Sequence, residues 1–485
     1  MRPPILELIE QDMERDAALP FIDLATRYFA RTRDEPAPVS TALSSAEIAP
    51  RFDEPLPRAG RPLNDVAARI EHDVMSAINR LTHPMYAGHQ VSAPLPAAVW
   101  TEAVIAAMNQ SVAVAEMSPS LTVLETQLIR WMTSLIGWGA GAGGTMTSGG
   151  TEATFTALLA ARATALPDAW RHGLAGAGEL PVVLCGEHAH YAVTRAVAQL
   201  GLGIDRAIAI PSRGYRLDPV ALATALDDLA ARGTPVMAVV ATAGSTATGS
   251  FDDLEAIGSL CDARAIWFHV DGAHGASALL SQRDQHRVTG IAGARSVAWD
   301  AHKMMLAPLS AGMLLVRDEH DLTNAFAQRA PYLFHGDEDG RVWDQGTRSF
   351  QCSRRADALK VWVALQRYGA DGLGALYDHL CATARALFDL IAGRSDFVAL
   401  HEPESNILCF RWVGDRSLDD DALDALNRDL RERYNRGGRG WITTTVLGAR
   451  RVLRVTIMNP RTGRAEMQHL VEGLADLGEA LAGAR

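Results

Sequence analysis

The amino-acid sequence predicts an α/β fold with a mostly parallel sheet covered by helices. Three observations support this fold class. Short apolar runs alternate with helical patterns between about residues 140 and 318, which is typical of strands joined by helical crossovers. Polar and glycine-rich segments follow the apolar runs, and the pattern changes after about residue 371. We therefore expect an N-terminal helical arm (1–80), a large domain (81–370) and a small C-terminal α+β domain (371–485).

The composition is that of a globular protein, since 48% of the 485 residues are hydrophobic and 21% are charged. The formal net charge of −11 argues against a nucleic-acid-binding surface. The cysteines are scattered and form no CxxC pair, so we expect neither a disulfide framework nor a metal site, and a reducing compartment is favoured. The five cysteines are Cys185, Cys261, Cys352, Cys381 and Cys409.

The first residues, MRPPILELIEQDMERDAAL, lack a basic region followed by an apolar run, which argues against a secretory signal. Apolar stretches such as Met304–Val316 are shorter than a membrane span, and Pro308 and Gly312 interrupt this one. We therefore expect a cytoplasmic protein with neither a membrane nor a nucleic acid as its partner.

The N-terminal arm contains amphipathic helical patterns, such as Leu63–Leu81, separated by a connector rich in proline and serine. It has too little apolar sequence to form a core of its own. We expect the arm to pack on the main body or on a second subunit.

Four apolar runs predict central strands, and three patterns between them predict helices. The strands are 181–185, 235–242, 265–271 and 296–300. The helices are Thr151–Leu166, Ala192–Gly201 and Leu217–Arg232. A tight turn and a further buried strand are expected between Asp300 and Asp318. In the C-terminal domain, helical patterns cover 375–392, 418–435 and 462–483, and the runs NILCFRW and RVLRVTI resemble strands.

Unusual polar segments follow the four central strands. GEHAHYA follows the first strand, AGSTATGSFDD the second, DGAHG the third and DAHK the fourth. Ligands of open α/β sheets bind at the carboxyl ends of the strands. The sequence therefore predicts a ligand site at this edge of the sheet.

A glycine-rich turn, Ser148-Gly149-Gly150-Thr151, lies between a short predicted strand and a helix. Backbone N–H groups at a helix N-terminus, with the helix dipole behind them, can bind a phosphate, and the glycines let the backbone approach it closely. The spacing matches neither the Walker motif nor GxGxxG, so a nucleotide is not the expected ligand.

Lys303 carries a charge at the start of an apolar stretch. One interpretation is a capping or snorkelling lysine, and the other is a reactive amine that holds an aldehyde as a Schiff base. Asp271 precedes Lys303 by 32 residues, one strand–helix–strand unit, so the two can occupy neighbouring strand ends. Asp271 could keep a pyridine nitrogen protonated there, and His190 could stack on the aromatic ring.

Further polar residues near these strands could donate or accept hydrogen bonds to a cofactor: Thr246, Ser296 and His302. A phosphate site, a stacking histidine, a strand-end aspartate and a lysine fit pyridoxal 5′-phosphate better than any other cofactor that we can propose. This combination favours the Schiff-base interpretation of Lys303.

The motifs TSGGTEAT, AHYAVTRA, HVDGAHG, DAHKMM and FQCSRRADALKVWVALQRYG occur in this order. They resemble the group II pyridoxal-phosphate-dependent amino-acid decarboxylases, which include the glutamate, aromatic-amino-acid, cysteine-sulfinate and 2,4-diaminobutyrate decarboxylases. The resemblance runs from about His83 to Asn459. It implies the pyridoxal-phosphate-dependent transferase fold of type I, with a seven-stranded type of sheet. It also implies a homodimer with shared active sites, in which the arm packs on the partner subunit.

The resemblance also implies the roles of the cofactor-binding residues. Lys303 would form the internal Schiff base and Asp271 would pair with the pyridine nitrogen. His190 and Ala273 would pack on the two faces of the ring. The phosphate would lie against the turn formed by Gly149, Gly150 and Thr151.

Two further segments carry implied substrate contacts. Arg454, in RVLRVTIMNP, resembles the arginine that approaches the substrate carboxylate. The segment THPMYAGHQVSAPLP resembles the one that lines the side-chain pocket, with His83, Tyr86, His89 and Gln90 as candidate residues.

The sequence departs from the family pattern at three places. Many members carry a tyrosine in a mobile catalytic loop, where it helps to protonate Cα, but here none lies between His335 and Arg355. Tyr332 and His335 are therefore kept as candidate proton donors. His274 stands where many members have an aromatic residue. Asp300 stands where some have asparagine, and its carboxylate near His302 could favour a protonated imidazole.

These observations predict a carboxy-lyase that converts an L-amino acid to its amine and carbon dioxide. Diaminobutyrate, acidic or sulfinate amino acids and aromatic amino acids all remain open as substrates, although HPMYAGH and WDQGTRSFQCSRR favour the diaminobutyrate and sulfinate branch. One alternative is another reaction of the same cofactor on this fold, by an aldehyde synthase, a carbon–carbon lyase or an aminotransferase. The other is a non-catalytic scaffold that binds the cofactor.

Overall fold

A computed structural model describes residues 4–34, 38–326, 343–414 and 418–483. The chain forms two compact units, each of which is built from segments that are separated in the sequence. Unit 1 comprises Met1–His89, Ala386–Leu400 and Cys409–Arg485, and unit 2 comprises Gln90–Arg385 and His401–Leu408.

The strands of the described residues are numbered in chain order. They are β1 (Gly143–Thr147), β2 (Val182–Gly186), β3 (Ala207–Ile210), β4 (Ser212–Arg213), β5 (Arg216–Leu217), β6 (Val236–Thr242), β7 (Trp267–Asp271), β8 (Ser296–Asp300), β9 (Gly312–Val316), β10 (Phe397–Ala399), β11 (Ile407–Trp412), β12 (Thr443–Leu447) and β13 (Arg450–Thr456).

A seven-stranded sheet with the order β1-β9-β8-β7-β6-β2-β3 forms the centre of unit 2. Neighbouring strands from β8 to β3 pair in parallel, whereas β9 is antiparallel to both β8 and β1. The predicted α/β fold with a mostly parallel sheet is therefore confirmed. The four predicted strands coincide with β2, β6, β7 and β8 to within two residues, and β9 is the buried strand expected before Asp318.

The central strands are buried along their length because helices cover the sheet. Every residue of β1, β2, β7, β8 and β9 is buried, as expected for strands covered on both faces. The helix Gly150–Ala165 packs closely on this sheet through small side chains. Its Ala153 and Ala157 share an apolar cluster with Ala298 and Leu314 of the strands.

Five strand termini meet at one edge of this sheet. Asp271, the last residue of β7, is in register with Thr242 at the end of β6 and with Ala298 of β8. Asp300 ends β8 opposite Gly312, the first residue of β9. Gly312 is in turn opposite Thr147, the last residue of β1. The segments that follow these termini therefore converge.

The helices of the described residues agree with most of the predicted patterns. They are Pro4–Asp12, Arg15–Asp34, Ser45–Ile48, Leu63–Arg69, Pro96–Met108, Pro119–Ile136, Gly150–Ala165, Ala169–His172, Ala192–Gln199, Pro219–Ala231, Leu254–Asp262, His320–Ala325, Ala358–Ala392, Asp420–Arg436 and Arg464–Gly483. None of these described helices is both long enough and apolar enough to cross a bilayer.

Two helical patterns differ from the prediction. The helix expected over Leu63–Leu81 is α-helical only to Arg69 and continues as a π turn and a 3₁₀ turn to Ala77. The side chain of Arg51 donates a hydrogen bond to the Asp73 carbonyl at 3.2 Å. In a longer α-helix this carbonyl would accept a hydrogen bond from a backbone amide of the helix itself. The helix predicted over 375–392 is the second part of Ala358–Ala392, which Gly369 interrupts with a φ of 71°.

A four-stranded sheet has the order β10-β11-β13-β12, and all of it belongs to unit 1 except Ile407 and Leu408 at the start of β11. The runs NILCFRW and RVLRVTI form β11 and β13, as predicted, and β13 pairs with β12 in antiparallel register. Residues from the N-terminal part of the chain bond to C-terminal segments within unit 1. Ser40 Oγ donates to the Asn435 carbonyl at 2.9 Å, and Asn459 Nδ2 donates to the Thr82 carbonyl at 2.9 Å.

Candidate active site

The converging strand termini of unit 2 enclose a cavity of about 400 Å³. Most of the residues that the sequence assigns to cofactor binding line this cavity. They are Gly149, Gly150, Thr151, His190, Thr246, Asp271, Ala273, His302 and Lys303. Asp300 and His274, which the sequence marks as departures from the family pattern, also line it.

Ser296 is the exception among these predicted residues. It begins β8, whereas the cavity lies at the other end of that strand, about 13 Å further along. Its buried hydroxyl accepts a hydrogen bond from Trp267 Nε1 at 2.9 Å and shares another with His269 Nδ1 at 2.9 Å. The structure therefore assigns Ser296 to the packing between β7 and β8 rather than to the cavity.

The glycine-rich turn forms one wall of the cavity through backbone that carries no side chains. Gly149 has a φ of 154°, which residues with a Cβ rarely adopt. A Cβ on Gly312 would lie 2.5 Å from the Cα of Gly149. The first hydrogen bond of the following helix runs from the amide of Ala153 to the Gly149 carbonyl. The amides of Gly150 and Thr151 come before it, so they have no acceptor within the helix.

Lys303 lies just beyond the end of β8 and pairs with the last residue of that strand. Its Nζ is 3.2 Å from Oδ2 of Asp300, whose side chain is only 2% exposed. The other carboxylate oxygen, Oδ1, accepts no hydrogen bond from any residue that the structure describes. The ammonium group is thus held by a buried carboxylate at the edge of the cavity.

The chain contains only one other lysine, Lys360. Its side chain is fully buried, and its Nζ lies 2.7 Å from Glu102 and 2.9 Å from Asp357. Lys360 does not line the cavity. An aldehyde that enters the cavity therefore meets a single lysine, Lys303.

Asp271 and His190 face the cavity from two other strands. The Asp271 carboxylate is buried and accepts a hydrogen bond from the amide of Ala273 at 3.2 Å. His190 Nδ1 accepts a hydrogen bond from the amide of Ala192 at 3.2 Å, which favours the tautomer with its proton on Nε2. Burial lowers the pKa of His190 and outweighs the opposing effect of Asp271. His190 is therefore a neutral aromatic ring near pH 7.

His302 is held in a fixed orientation beside the glycine-rich turn. Its Nδ1 accepts a hydrogen bond from the amide of Ala311 at 3.0 Å, and its Nε2 lies 3.5 Å from Asp300. Burial is the largest effect on the pKa of His302 and lowers it, although Asp300 acts in the opposite direction. The neutral imidazole is therefore favoured overall, although the Asp300 carboxylate favours the protonated form, as its position in the sequence suggests.

His274 and Thr246 complete the cavity wall between β6 and β7. His274 Nε2 shares a hydrogen bond of 2.7 Å with Asn406 Oδ1, which fixes its ring. Gly244 has a φ of 80°, and a Cβ there would lie 2.9 Å from the amide of Gly275. Only glycine fits this turn, which leads the chain to Thr246.

The predicted substrate-binding residues divide between the two units. His83, Tyr86, His89 and Arg454 belong to unit 1, and Gln90 belongs to unit 2. Within unit 1, the ring of Tyr86 stacks on Trp441 with centroids 5.0 Å apart, and burial raises its pKa to about 12. His83 Nδ1 accepts a hydrogen bond from the amide of Met85 at 3.0 Å, so one of its nitrogens has a local structural partner.

Arg454 lies on β13 and is buried. Its Nη1 donates to Thr443 Oγ1 at 3.5 Å, and burial lowers the pKa of its guanidinium. Burial also lowers the pKa values of His83 and His89.

Tyr332 and His335, the two candidate proton donors, lie outside the described residues.

Sequence reasoning missed three residues that line the cavity, Tyr191, Thr242 and Gly244, whereas Ser148 belongs to the predicted glycine-rich turn. Each lies within or directly beside a segment already predicted to contribute to the site. Their position next to predicted site residues could therefore have identified them.

Among the described residues, no group of three or more histidine, cysteine, aspartate or glutamate side chains is arranged to hold a metal ion.

Comparison with known proteins gives consistent matches over most of the chain. The model of the pyridoxal-dependent decarboxylase conserved domain matches residues 46–413. The L-2,4-diaminobutyrate decarboxylase of Rhizobium meliloti (strain 1021) is 32% identical over 432 residues, which cover 88% of this chain and 84% of that protein. The cysteine sulfinic acid decarboxylase of Mus musculus is 32% identical over 411 residues, covering 82% and 83% of the two chains.

Solved structures give the same result at the level of the fold. The crystal structure of mouse CSAD superposes with a TM-score of 0.90 and 28% sequence identity. The superposition covers 99% of each chain.

Proposed function

Because this chain belongs to the pyridoxal-dependent decarboxylase family and is a pyridoxal-phosphate-dependent amino-acid decarboxylase, we propose that the cavity at the strand termini is its active centre. The family predicted from the sequence motifs is thereby confirmed. One observation carries the proposal: Lys303, Asp271, His190 and the glycine-rich turn line a single cavity. When bound, pyridoxal phosphate supplies an electron sink for the bonding pair of the Cα–carboxylate bond.

The residues of the cavity fit this cofactor. A Cβ on Gly150 would lie 2.7 Å from the Cβ of Ala273 and 3.2 Å from Asp300 Oδ2, so this wall has room only for bare backbone. A phosphate can approach such a wall closely, where helix N-terminal amides and the helix dipole favour negative charge. Gly149, Gly150 and Thr151 would hold the phosphate in this way, with the Thr246 hydroxyl and His302 as further contacts.

Asp271 and His190 would bind the aromatic ring of the cofactor. A buried carboxylate beside a pyridine nitrogen favours the protonated ring, which is the form that accepts electrons. The neutral His190 ring can stack on one face without bringing a competing positive charge. Ala273 would pack against the opposite face.

Lys303 would hold the aldehyde carbon of the cofactor through its Nζ and release it when the amine of the substrate arrives. The freed Nζ can then donate or accept a proton near the substrate Cα, and it can displace the amine product. Tyr332 and His335 remain alternative proton donors in this proposal. If Tyr332→Phe or His335→Ala stops amine release while carbon dioxide still forms, the residue changed is the donor.

We infer that the substrate is an L-amino acid with a short, charged side chain. Two relatives at 32% identity are named for diaminobutyrate and cysteine sulfinate, and both compounds have such side chains. Arg454 would bind the substrate carboxylate, since a desolvated guanidinium pairs strongly with an anion. The side chain would lie against His83, Tyr86, His89 and Gln90.

A panel of amino acids tests this function. The full chain, purified with pyridoxal phosphate, is incubated with L-2,4-diaminobutyrate, L-cysteine sulfinate, L-glutamate, L-aspartate and L-tryptophan, and carbon dioxide, amine, aldehyde and ammonia are measured. We expect equal amounts of amine and carbon dioxide from one of the first four. Aldehyde with ammonia would indicate an aldehyde synthase, and no product from any of them would contradict the proposal.

A homodimer in the cytoplasm is also part of the proposal. The helix Pro4–Asp12 buries none of its residues, and its Ile5, Leu8 and Ile9 are 56%, 48% and 46% exposed. A second copy that covers this arm would remove these side chains from water. All five cysteines are free thiols, which suits a reducing compartment.

Sedimentation of the full chain tests the dimer. We expect a particle of twice the chain mass of 52.1 kDa. Ile9→Asp would weaken this dimer, whereas Val220→Asp, at a site 72% exposed on another helix, is the matched control. A wild-type chain that sediments as a monomer would exclude the dimer.

A further inference from the structure

Asp300 is a buried carboxylate inside the cavity for which the proposed chemistry has no role. Its side chain is 2% exposed, and its Oδ2 lies 3.2 Å from Lys303 Nζ. The same oxygen would lie 3.2 Å from a Cβ on Gly150, so it borders the turn that we assign to the phosphate. Burying such a charge is costly unless it has a partner. Lys303 is that partner.

The charges that face Lys303 in the cavity are unbalanced. Asp271 and Asp300 contribute two carboxylates, and Lys303 contributes one ammonium; within the described lining no arginine is present. The other titratable groups of this lining are His190, Tyr191, His274 and His302. Two positive charges lie outside this lining. Arg195 contributes to lowering the pKa of His190, and Lys360 contributes to lowering that of His302. A phosphate would add further negative charge beside Asp300.

We propose that Asp300 is a positioning residue that orients Lys303 Nζ and stabilises the proton that this nitrogen carries when it is not acting as a nucleophile. This inference rests on the proposed function, in which Lys303 alternates between bonding the cofactor and being free. A released ammonium beside a buried carboxylate gains a counter-ion, and Asp300 provides it within hydrogen-bond distance. The cost of this arrangement is repulsion between Asp300 and the cofactor phosphate.

The two effects of Asp300 have opposite consequences. Its negative charge stabilises a proton on Lys303 nitrogen, both in the free amine and in the nitrogen bonded to the cofactor. The same charge weakens binding of an anion at the glycine-rich turn. A residue with a merely structural role would produce neither effect in a correctly folded variant.

The first test is Asp300→Asn in the full chain with its cofactor, because asparagine keeps the shape and removes the charge. The absorbance of the bound cofactor is titrated against pH. We expect the midpoint of this titration to fall by about one to three pH units, the range for an opposite charge within a few ångströms.

The second test measures inorganic phosphate on the cofactor-free full chain by titration calorimetry. We expect Asp300→Asn to bind phosphate roughly three- to tenfold more tightly than the wild type, as for removal of a nearby like charge. Asp321→Asn is the matched control. Asp321 is also a buried carboxylate in an ion pair, with Arg295 at 2.6 Å, but it does not line the cavity.

The outcomes separate this inference from the proposed function. A lowered midpoint together with tighter phosphate binding, neither of them seen in Asp321→Asn, supports the role of Asp300. An unchanged midpoint or unchanged phosphate affinity overturns it. If Asp300→Asn does not fold, Asp300→Ser removes the charge with a smaller side chain and gives the same two readouts. A wild-type chain that binds no pyridoxal phosphate would instead overturn the proposed function itself.

Discussion

Gly150 and Ala273 approach each other so closely that a Cβ on Gly150 would lie 2.7 Å from the Cβ of Ala273. Gly150 begins the helix Gly150–Ala165, and Ala273 follows the end of β7. The proposed phosphate and ring contacts thus depend on one close approach between two strand-end segments. Small residues at both positions allow it.

Gly150→Ala therefore has an expected effect on cofactor binding. The added methyl group would push the first helical turn away from Ala273, at a cost of about 1–3 kcal/mol. We expect affinity for pyridoxal phosphate to fall by about tenfold or more, measured by fluorescence titration of the cofactor-free chain. Gly293→Ala is the control, because a Cβ at Gly293 meets nothing within 4 Å. Equal affinities in the two variants would contradict the assignment of the phosphate site.

Much of this arrangement could be predicted from the sequence. The strands β2, β6, β7 and β8 are continuous apolar runs, because helices cover both faces of the sheet, and a run of that kind is visible without knowledge of the fold. In a parallel sheet the residues after such runs must share an edge, which is why Asp271 and Lys303 could be expected at one cavity.

Other features depend on contacts that sequence spacing does not reveal. Ser296 lies close to Lys303 in the sequence, which suggests a contact with the cofactor, but its hydroxyl is bonded to Trp267 and His269 at the opposite end of β8. Asp300 does favour a proton on His302, as its position suggests, but burial, which only the folded chain has, outweighs this effect and lowers the pKa of His302. The helix that begins at Leu63 is α-helical only to Arg69, although its apolar pattern continues to Leu81.

Asp271→Asn tests the electron sink. An amide cannot stabilise a protonated ring nitrogen as a carboxylate does, so the variant should bind pyridoxal phosphate yet lose at least about a hundredfold in kcat. Absorbance of the bound cofactor and amine release are measured on the same preparation. A variant with near-normal kcat would show that Asp271 does not act on the ring.

His190 is expected to act through its aromatic ring rather than through a proton, since burial favours its neutral form. His190→Phe should therefore retain cofactor affinity within about threefold, whereas His190→Ala should lose stacking worth about 1 kcal/mol or more. Equilibrium dialysis of pyridoxal phosphate measures both variants. A phenylalanine variant as weak as the alanine variant would indicate that a hydrogen bond, not stacking, is the main contribution.

His269 gives a prediction for stability against pH. Burial lowers its pKa in the folded chain to about 4, whereas an exposed histidine titrates near 6.5. Between pH 6.5 and pH 4, His269 therefore binds a proton in the unfolded chain but not in the folded chain. Stability that is present above pH 6.5 should be lost as the pH falls towards 4, by about 3 kcal/mol in total.

Denaturant unfolding of the wild type and of His269→Asn, at pH values from 7 to 4, measures this contribution. Asparagine can keep the hydrogen bond to Ser296 but does not titrate. We expect the wild type to lose more stability than the variant over this range. Parallel curves for the two proteins would mean that His269 does not contribute to the acid sensitivity.

The most direct measurement of the central claim is reduction of the purified chain with borohydride in the presence of pyridoxal phosphate, followed by proteolysis and mass spectrometry. The chain has two lysines, and Lys360 is buried between Glu102 and Asp357. We expect the added mass on the peptide that contains Lys303, and none in Lys303→Ala, which should also be inactive. Label on Lys360, or no label in an active wild-type enzyme, would contradict the account.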